Sequence, residues 1–195
     1  MKNKGVWIFL GIVVLLAIYL VSTFNKMKKA EIAVNGQWGQ VEVAYQARAD
    51  KTKNLVEIVK GSADFEKSTL TDVIEARSKA TSINLSGDNL TPENIKAFEE
   101  AQSQFTGALS RLMVTVERYP DLKTTQAFRD FQAQYEGMEN RIAVERRKFN
   151  DTVGAYTSIT ETFPGNMFAS MFGFKPKGFF EANEGAENAP DISFK

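Results

Sequence analysis

The sequence predicts an all-α protein: an N-terminal transmembrane helix, then an extended antiparallel bundle of three long helices and a short C-terminal helix. Three observations predict it. An uncharged run of nineteen residues, Val6 to Phe24, opens the chain. Beyond it, apolar residues recur at intervals of three and four, the spacing that lines one face of a helix. Three of the five prolines, Pro92, Pro120 and Pro164, fall where helices would start or stop. No alternation of period two competes with this pattern.

The first element is the run itself. A helix rises about 1.5 Å per residue, so this length just crosses a hydrocarbon core of roughly 30 Å. A cleavable signal peptide is the competing reading, with Lys2 and Lys4 as its positive start. The run exceeds the usual apolar region of roughly 7–15 residues, and Val21-Ser22-Thr23 is a poor cleavage site, so an uncleaved anchor at 6–24 after a short tail at 1–5 is preferred. A lipoprotein anchor is ruled out because the chain has no cysteine. Lys2 and Lys4 on one side nearly balance Lys26, Lys28 and Lys29 on the other, which leaves orientation open on charge alone.

Residues 25–163 form the bundle, with helical segments at about 29–82, 92–118 and 121–162. In the first, Trp38, Val41, Tyr45, Leu55, Ile58 or Val59, Phe65, Val73 and Ile74 mark an apolar stripe interrupted by Arg48 and Thr52. A helix of this length would span about 75 Å against about 40 Å for the second. Either it breaks near Gly61, or its membrane-proximal part stands out as a stalk exposing Trp38, Val41 and Tyr45 unless something covers them. Gly36, Gly39 and Gly61 are the candidate bends, each costing about 1 kcal/mol of helix propensity against Ala. The loop Asn84–Asn89 carries turn residues, and Thr91-Pro92 pairs an N-cap residue with proline at the first helical position. Pro120 ends the second segment and Asp121 can cap the third. That short connection makes the two an antiparallel hairpin.

Residues 164–181 change character. Phe168, Met171, Phe172, Phe174, Phe179 and Phe180 crowd into thirteen residues with Lys175 and Lys177 among them. A short helix at about 166–172 and an extended piece are expected. The cluster either folds back over the open end of the first helix, enters the membrane interface or docks on a second subunit; fold-back is preferred, since Trp38 needs a cover. From 182 to 195 the chain is acidic and rich in Gly and Asn, as disordered tails are.

Composition excludes several classes of function. Lysine and arginine total 24, matching 24 acidic residues, so the basic surface that releases counterions from nucleic acid is not expected. With no histidine and no cysteine, thiolate chemistry, the usual zinc sites and His-based acid–base catalysis are absent. Only carboxylates remain, chiefly Glu99, Glu100, Glu136, Glu139 and Glu145. Di-metal bundles need Glu-x-x-His pairs, which this chain cannot supply. At helical spacing these acids read as a solvated face or as partners for Arg and Lys. In the charge-rich stretch Gly137–Asn150, Glu139, Arg141, Glu145 and Arg146 can pair along the helix or reach the first helix near Arg48 and Asp50. No catalytic, metal-binding or cofactor-binding residue and no cofactor is predicted. The candidate interaction residues are Trp38, Val41, Tyr45, Phe168, Met171, Phe172, Phe174, Phe179 and Phe180.

Taken in order, Gln37-Trp38-Gly39, Val41-Glu42, Arg48-Ala-Asp50, Asn54-Leu-Val56, Val59-Lys-Gly61, Glu75-Ala-Arg77 with Ala80, Glu117-Arg-Tyr-Pro-Asp-Leu122, Glu136 to Arg147, Phe149-Asn150, Phe163-Pro164 and Met171-Phe-Gly-Phe174 resemble the LemA family of bacterial membrane proteins. The likeness runs from the anchor to about Glu181. Two departures stand out: Lys51-Thr-Lys53 replaces the family's Leu-Ile-Pro, and Ser62-Ala-Asp-Phe-Glu66 lacks the Tyr and His of its Tyr-Ala-x-His-Glu pattern. The resemblance implies a single N-terminal anchor in the cytoplasmic (inner) membrane and a helical bundle facing away from the cytoplasm, on the periplasmic side. It implies no enzymatic activity, and a loose link to envelope or membrane organisation.

Three functions follow in order of preference. The first is a non-enzymatic membrane-anchored scaffold that self-associates as a homo-oligomer on the bilayer. The second is an adaptor whose bundle binds another envelope protein. A carboxylate-based enzyme comes last. Nucleic acid is not among the expected partners.

Overall fold

A computed structural model describes residues 4–61 and 65–181. Its first helix, α1, runs without interruption over Lys4–Lys60, 57 residues, or about 85 Å. The apolar run is the start of this helix, and no residue of its most apolar window is buried inside the protein. From Met27 onward one face is buried, through Val34, Trp38, Val41, Tyr45, Arg48, Leu55 and Val59. Apolar run and bundle are therefore one rod. Gly36 and Gly39 do not bend it, because the large side chains around them are locked into the core, and packing offsets the propensity penalty.

The segment read as 29–82 is two helices. α1 stops at Lys60, where the Gly61 amide turns back to the Ile58 carbonyl at 3.3 Å, and α2 occupies Lys67–Ser82. Of the family pattern that departs at Ser62–Glu66, positions 62–64 lie outside the described residues. A 3₁₀ turn at Gly87–Asn89 leads to α3, Pro92–Val116. Thr91 caps α3 by accepting the Asn94 amide at 3.4 Å, with Pro92 at the first helical position. The reading of the next boundary changes: a single turn, α4 at Pro120–Lys123, intervenes. The long α5, Gln126–Thr160, is capped by Thr125 rather than Asp121, the Phe128 amide donating to Thr125 Oγ1 at 3.3 Å. α6, Gly165–Phe172, closes the helical series, and an extended strap follows to Glu181. The tail at 182–195 lies outside the described residues.

α1, α2, α3 and α5 alternate in direction and make a four-helix bundle. α1 lies closest to α5, and α2 to α3. α3 and α5 are antiparallel, as the short connection requires, since Phe98 and Phe149 share one end with Trp38 while Val116 and Phe128 share the other. The core is in two parts. The membrane-distal part is largely aliphatic, built on Leu55, Val59, Val73, Leu109, Leu112 and Val116 with Phe105 and Phe128. The membrane-proximal part is aromatic, built on Trp38, Tyr45, Phe98, Phe149, Tyr156 and Phe180.

Candidate functional site

Trp38 is the centre of the membrane-proximal core. Its ring meets Phe98 edge-on at 5.1 Å and Phe149 at 5.3 Å, and stacks on Phe180 at 6.0 Å. Tyr45 adds a further edge contact to Phe98 at 5.1 Å. Offset and edge-to-face pairs of this kind are worth about 0.5–1.5 kcal/mol each beyond their burial. The indole Nε1 donates to the Leu85 carbonyl at 2.7 Å, so the one polar atom of the ring is satisfied and pins the loop before α3.

The cover of this core comes from the far end of the sequence. α6 ends at Gly173, whose φ of 78° lies in the left-handed region that glycine adopts without penalty. That residue turns the chain up the bundle as the strap. Gly178 then passes so close to α3 that a Cβ there would sit 2.8 Å from Pro92 Cα and 2.9 Å from the Thr91 carbonyl oxygen. Its amide donates to the Leu90 carbonyl at 2.9 Å. At Phe180 the strap is clamped by one side chain: Asn150 Nδ2 donates to the Phe180 carbonyl at 2.8 Å, and the Phe180 amide donates to Asn150 Oδ1 at 2.9 Å. Arg146 lies 4.7 Å from the Phe180 ring centroid, donates to the Glu181 carbonyl at 2.9 Å and pairs with Glu99.

Lys177 is the other strap anchor. It is 3% exposed and donates to the Gly87 carbonyl at 2.9 Å, with Glu31 of α1 at 3.7 Å and the Tyr156 ring at 6.0 Å. Tyr156 donates its hydroxyl to the Lys175 carbonyl at 2.8 Å. Burial, with Glu31 and Asp88 adding negative charge, pushes the Tyr156 phenol up to about 12.

Between the two cores lies a polar layer. Arg48, 1% exposed, donates through Nη1 to Thr106 Oγ1 at 2.8 Å and Glu139 Oε1 at 2.9 Å, and through Nη2 to Gln102 Oε1 at 2.7 Å. Its guanidinium lies 5.1 Å from the rings of both Tyr45 and Phe105. Gln102 Nε2 in turn donates to the Ala80 carbonyl at 3.1 Å, so one arginine ties α1 to α3 and α5 directly and to α2 through Gln102. The cleft above it holds about 130 Å³, below the roughly 300 Å³ from which small-molecule sites start. Glu145, 4% exposed, accepts from Gln37 Nε2 at 2.8 Å and Lys148 Nζ at 3.3 Å and forms an ion pair with Arg141, whose Nε lies 3.1 Å away. The Gln37 hydrogen bond, with Lys148 and Arg141 adding positive charge, holds its carboxyl below the usual value despite burial.

The predicted interaction residues thus divide. Trp38, Val41, Tyr45 and Phe180 are buried against each other and their neighbours. Phe168, Phe172 and Phe174 are half-buried, Phe168 against Tyr19 and the other two against Phe24 of α1. Met171 and Phe179 are exposed. Of the acidic residues, Glu99, Glu139 and Glu145 each pair with an arginine. Among the described residues no three acidic side chains converge as a metal site would require. Gln102, Thr106, Asn150, Glu31 and Lys177 were missed, because an isolated polar residue carries no periodic signal naming its distant partner.

The family's sequence model matches residues 37–194, starting beside Trp38 and covering the bundle, α6 and the strap. The chain belongs to the LemA family. It is 23% identical to Protein LemA of Metamycoplasma hominis over 160 residues, 82% of this chain and 69% of that protein. It is also 33% identical to magnetosome protein MamQ 2 of Paramagnetospirillum magneticum over 86 residues, 44% of this chain and 32% of the relative. Magnetosome protein MamQ of Magnetospirillum gryphiswaldense matches equally at 33% over 85 residues, 44% and 31% of the two chains. The chain thus spans about a third of the length of the magnetosome proteins it matches. None of these names describes a catalytic activity.

Proposed function

We propose that this LemA-family protein is a non-enzymatic, single-pass scaffold of the bacterial inner membrane, with its bundle on the extracytoplasmic side. In this role it self-associates and helps organise the membrane or envelope. The observation that carries the reading is α1: one uninterrupted helix contains both the apolar run and the backbone of the bundle. A rod of this kind transmits position and tilt from bilayer to bundle, which a flexible tether does not. The buried polar groups support it too. Arg48 pairs with Glu139, Glu145 with Gln37, Arg141 and Lys148, and Lys177 with Glu31 and the Gly87 carbonyl, so the groups that could perform chemistry are instead used to hold helices in register.

Purification from native membranes in mild detergent, with mass measurement and in-cell crosslinking, tests this reading. The expected result is a homo-oligomer that crosslinks to itself. A particle that is monomeric both in detergent and in the membrane overturns it, and one heterologous protein crosslinked at high yield replaces it with an adaptor.

A further inference from the structure

The membrane-proximal end of the fold presents an apolar surface that neither core uses. α6 docks on the last turns of the apolar run: Phe168 meets Tyr19 at 5.9 Å and Phe172 meets Phe24 at 5.2 Å. Phe174, at the start of the strap, meets Phe24 at 5.8 Å. α6 therefore stands at the level where the run ends. While one side of the helix packs on α1 through these rings and buries Ala169, the other leaves Met167 63% exposed and Met171 62% exposed, with Phe163 just before it at 79%. Met167 and Met171 are four residues apart, one turn, on a shared face. Next along α1 come Lys26, Lys28 and Lys29, all exposed, and Lys175 is exposed at the foot of the strap.

We infer that α6 is an interfacial foot: Phe163, Met167 and Met171 insert among phospholipid acyl chains beside the anchor, with the lysines at the level of anionic headgroups. A bilayer is the occupant the surroundings select. The face is continuous with the segment that crosses the membrane, through ring contacts to Tyr19 and Phe24. An apolar surface bordered on one side by lysines matches the boundary between acyl chains and headgroups. Methionine, unbranched and adaptable, suits disordered chains better than a rigid protein groove. A lone helix can tilt and rotate in a bilayer; a second apolar contact beside it fixes both, so the foot sets the height and bearing of the bundle above the membrane.

This inference rests on the apolar run crossing the bilayer, and the test separates the two. The chain has no native cysteine, so Met171→Cys, Leu15→Cys and Val114→Cys each accept one nitroxide label, at positions that are all exposed in the fold. The full-length protein is reconstituted in vesicles of neutral and anionic phospholipid. Collision with oxygen, which concentrates in lipid, is compared with collision with a water-soluble nickel chelate. The expected result is a label at 171 that resembles the one at 15, several-fold richer in oxygen collisions relative to nickel than the one at 114. A label at 171 that behaves like the one at 114, while the one at 15 remains in lipid, overturns the foot and leaves the anchor. A label at 15 in water overturns both, and a label at 171 shielded from both reagents means protein covers the face and also overturns the foot.

Discussion

The two halves of the bundle core are built differently. The membrane-distal half is an aliphatic cluster of Leu55, Val59, Leu109, Leu112 and Val116, supplied by helices whose stripes meet as they pack side by side. The membrane-proximal half is a ring cluster around Trp38 whose final member, Phe180, arrives on an extended strap. Regular helices close the first half through their own periodicity. The second is closed by a segment with no helical spacing, held by a glycine, an asparagine and a lysine. A core half that depends on a detachable cover should open locally while the other stays folded.

The largest effect that would sharpen this contrast is at Trp38. Trp38→Ala is expected to cost about 3–5 kcal/mol, read as a lowered denaturation midpoint in detergent, and to accelerate hydrogen exchange across residues 174–181. Leu109→Ala in the distal half is expected to cost a comparable amount, about 2–5 kcal/mol, while leaving strap exchange slow. Equal acceleration of the strap by both would mean that the halves unfold as one unit.

Next comes Gly178→Ala, where the new Cβ must displace the start of α3 or lift the strap. Overpacking of this sort costs about 1–3 kcal/mol, and the change is expected to increase proteolysis near residue 178 without loosening the distal half. Asn150→Ala follows: it leaves the Phe180 amide and carbonyl without their partner, a loss of about 1–3 kcal/mol for buried groups and less where water reaches them. Faster exchange of the Phe180 amide, with the α2–α3 amides unchanged, is the expected readout.

The smallest effect is also the one that depends on pH. Because the folded Glu145 carboxyl lies below its ordinary value of 4.5, its ionised form stabilises the native state fully above that pH. The stabilisation is lost as pH falls through the folded value. Glu145→Gln is therefore expected to be less stable than the parent above pH 4.5, with the two converging at lower pH in matched denaturation series. A difference constant across that range would mean that the Gln37 contact, not the charge, carries the effect.

Some of this was legible residue by residue. Thr91-Pro92 announces its helix start because capping chemistry is local, and Gly61 stood among three candidate breaks. Gly61 was the break the sequence reading named, but the choice between a break there and a projecting stalk was not legible, since helix propensity treats all three glycines alike and only the packing of Trp38 and its neighbours carries the helix past Gly36 and Gly39. The pairing of α1 with α5 was not legible either, because an apolar stripe reports which face is buried and not against what. The boundary at Asp121 was misplaced because proline and an acid make a plausible cap whether or not another turn follows. Arg48 looked like an interruption in a stripe; the charge-rich stretch offered Glu139 as one of several groups able to reach it, but its other partner, Gln102, lies 54 residues away and belongs to no such pattern.

By itself the sequence determined what each segment is: an apolar run long enough to cross a bilayer, amphipathic helices, and an aromatic C-terminal stretch unlike a disordered tail. These follow from spacing and composition, and both act over a few residues. Only the tertiary structure decided that the run and the first bundle helix are a single rod, that Phe180 covers Trp38, and that α6 stands beside the end of the run. Those outcomes depend on which surfaces meet. Contacts between residues far apart in the chain are selected by the shape and polarity of the whole fold, to which no single stretch of sequence has access.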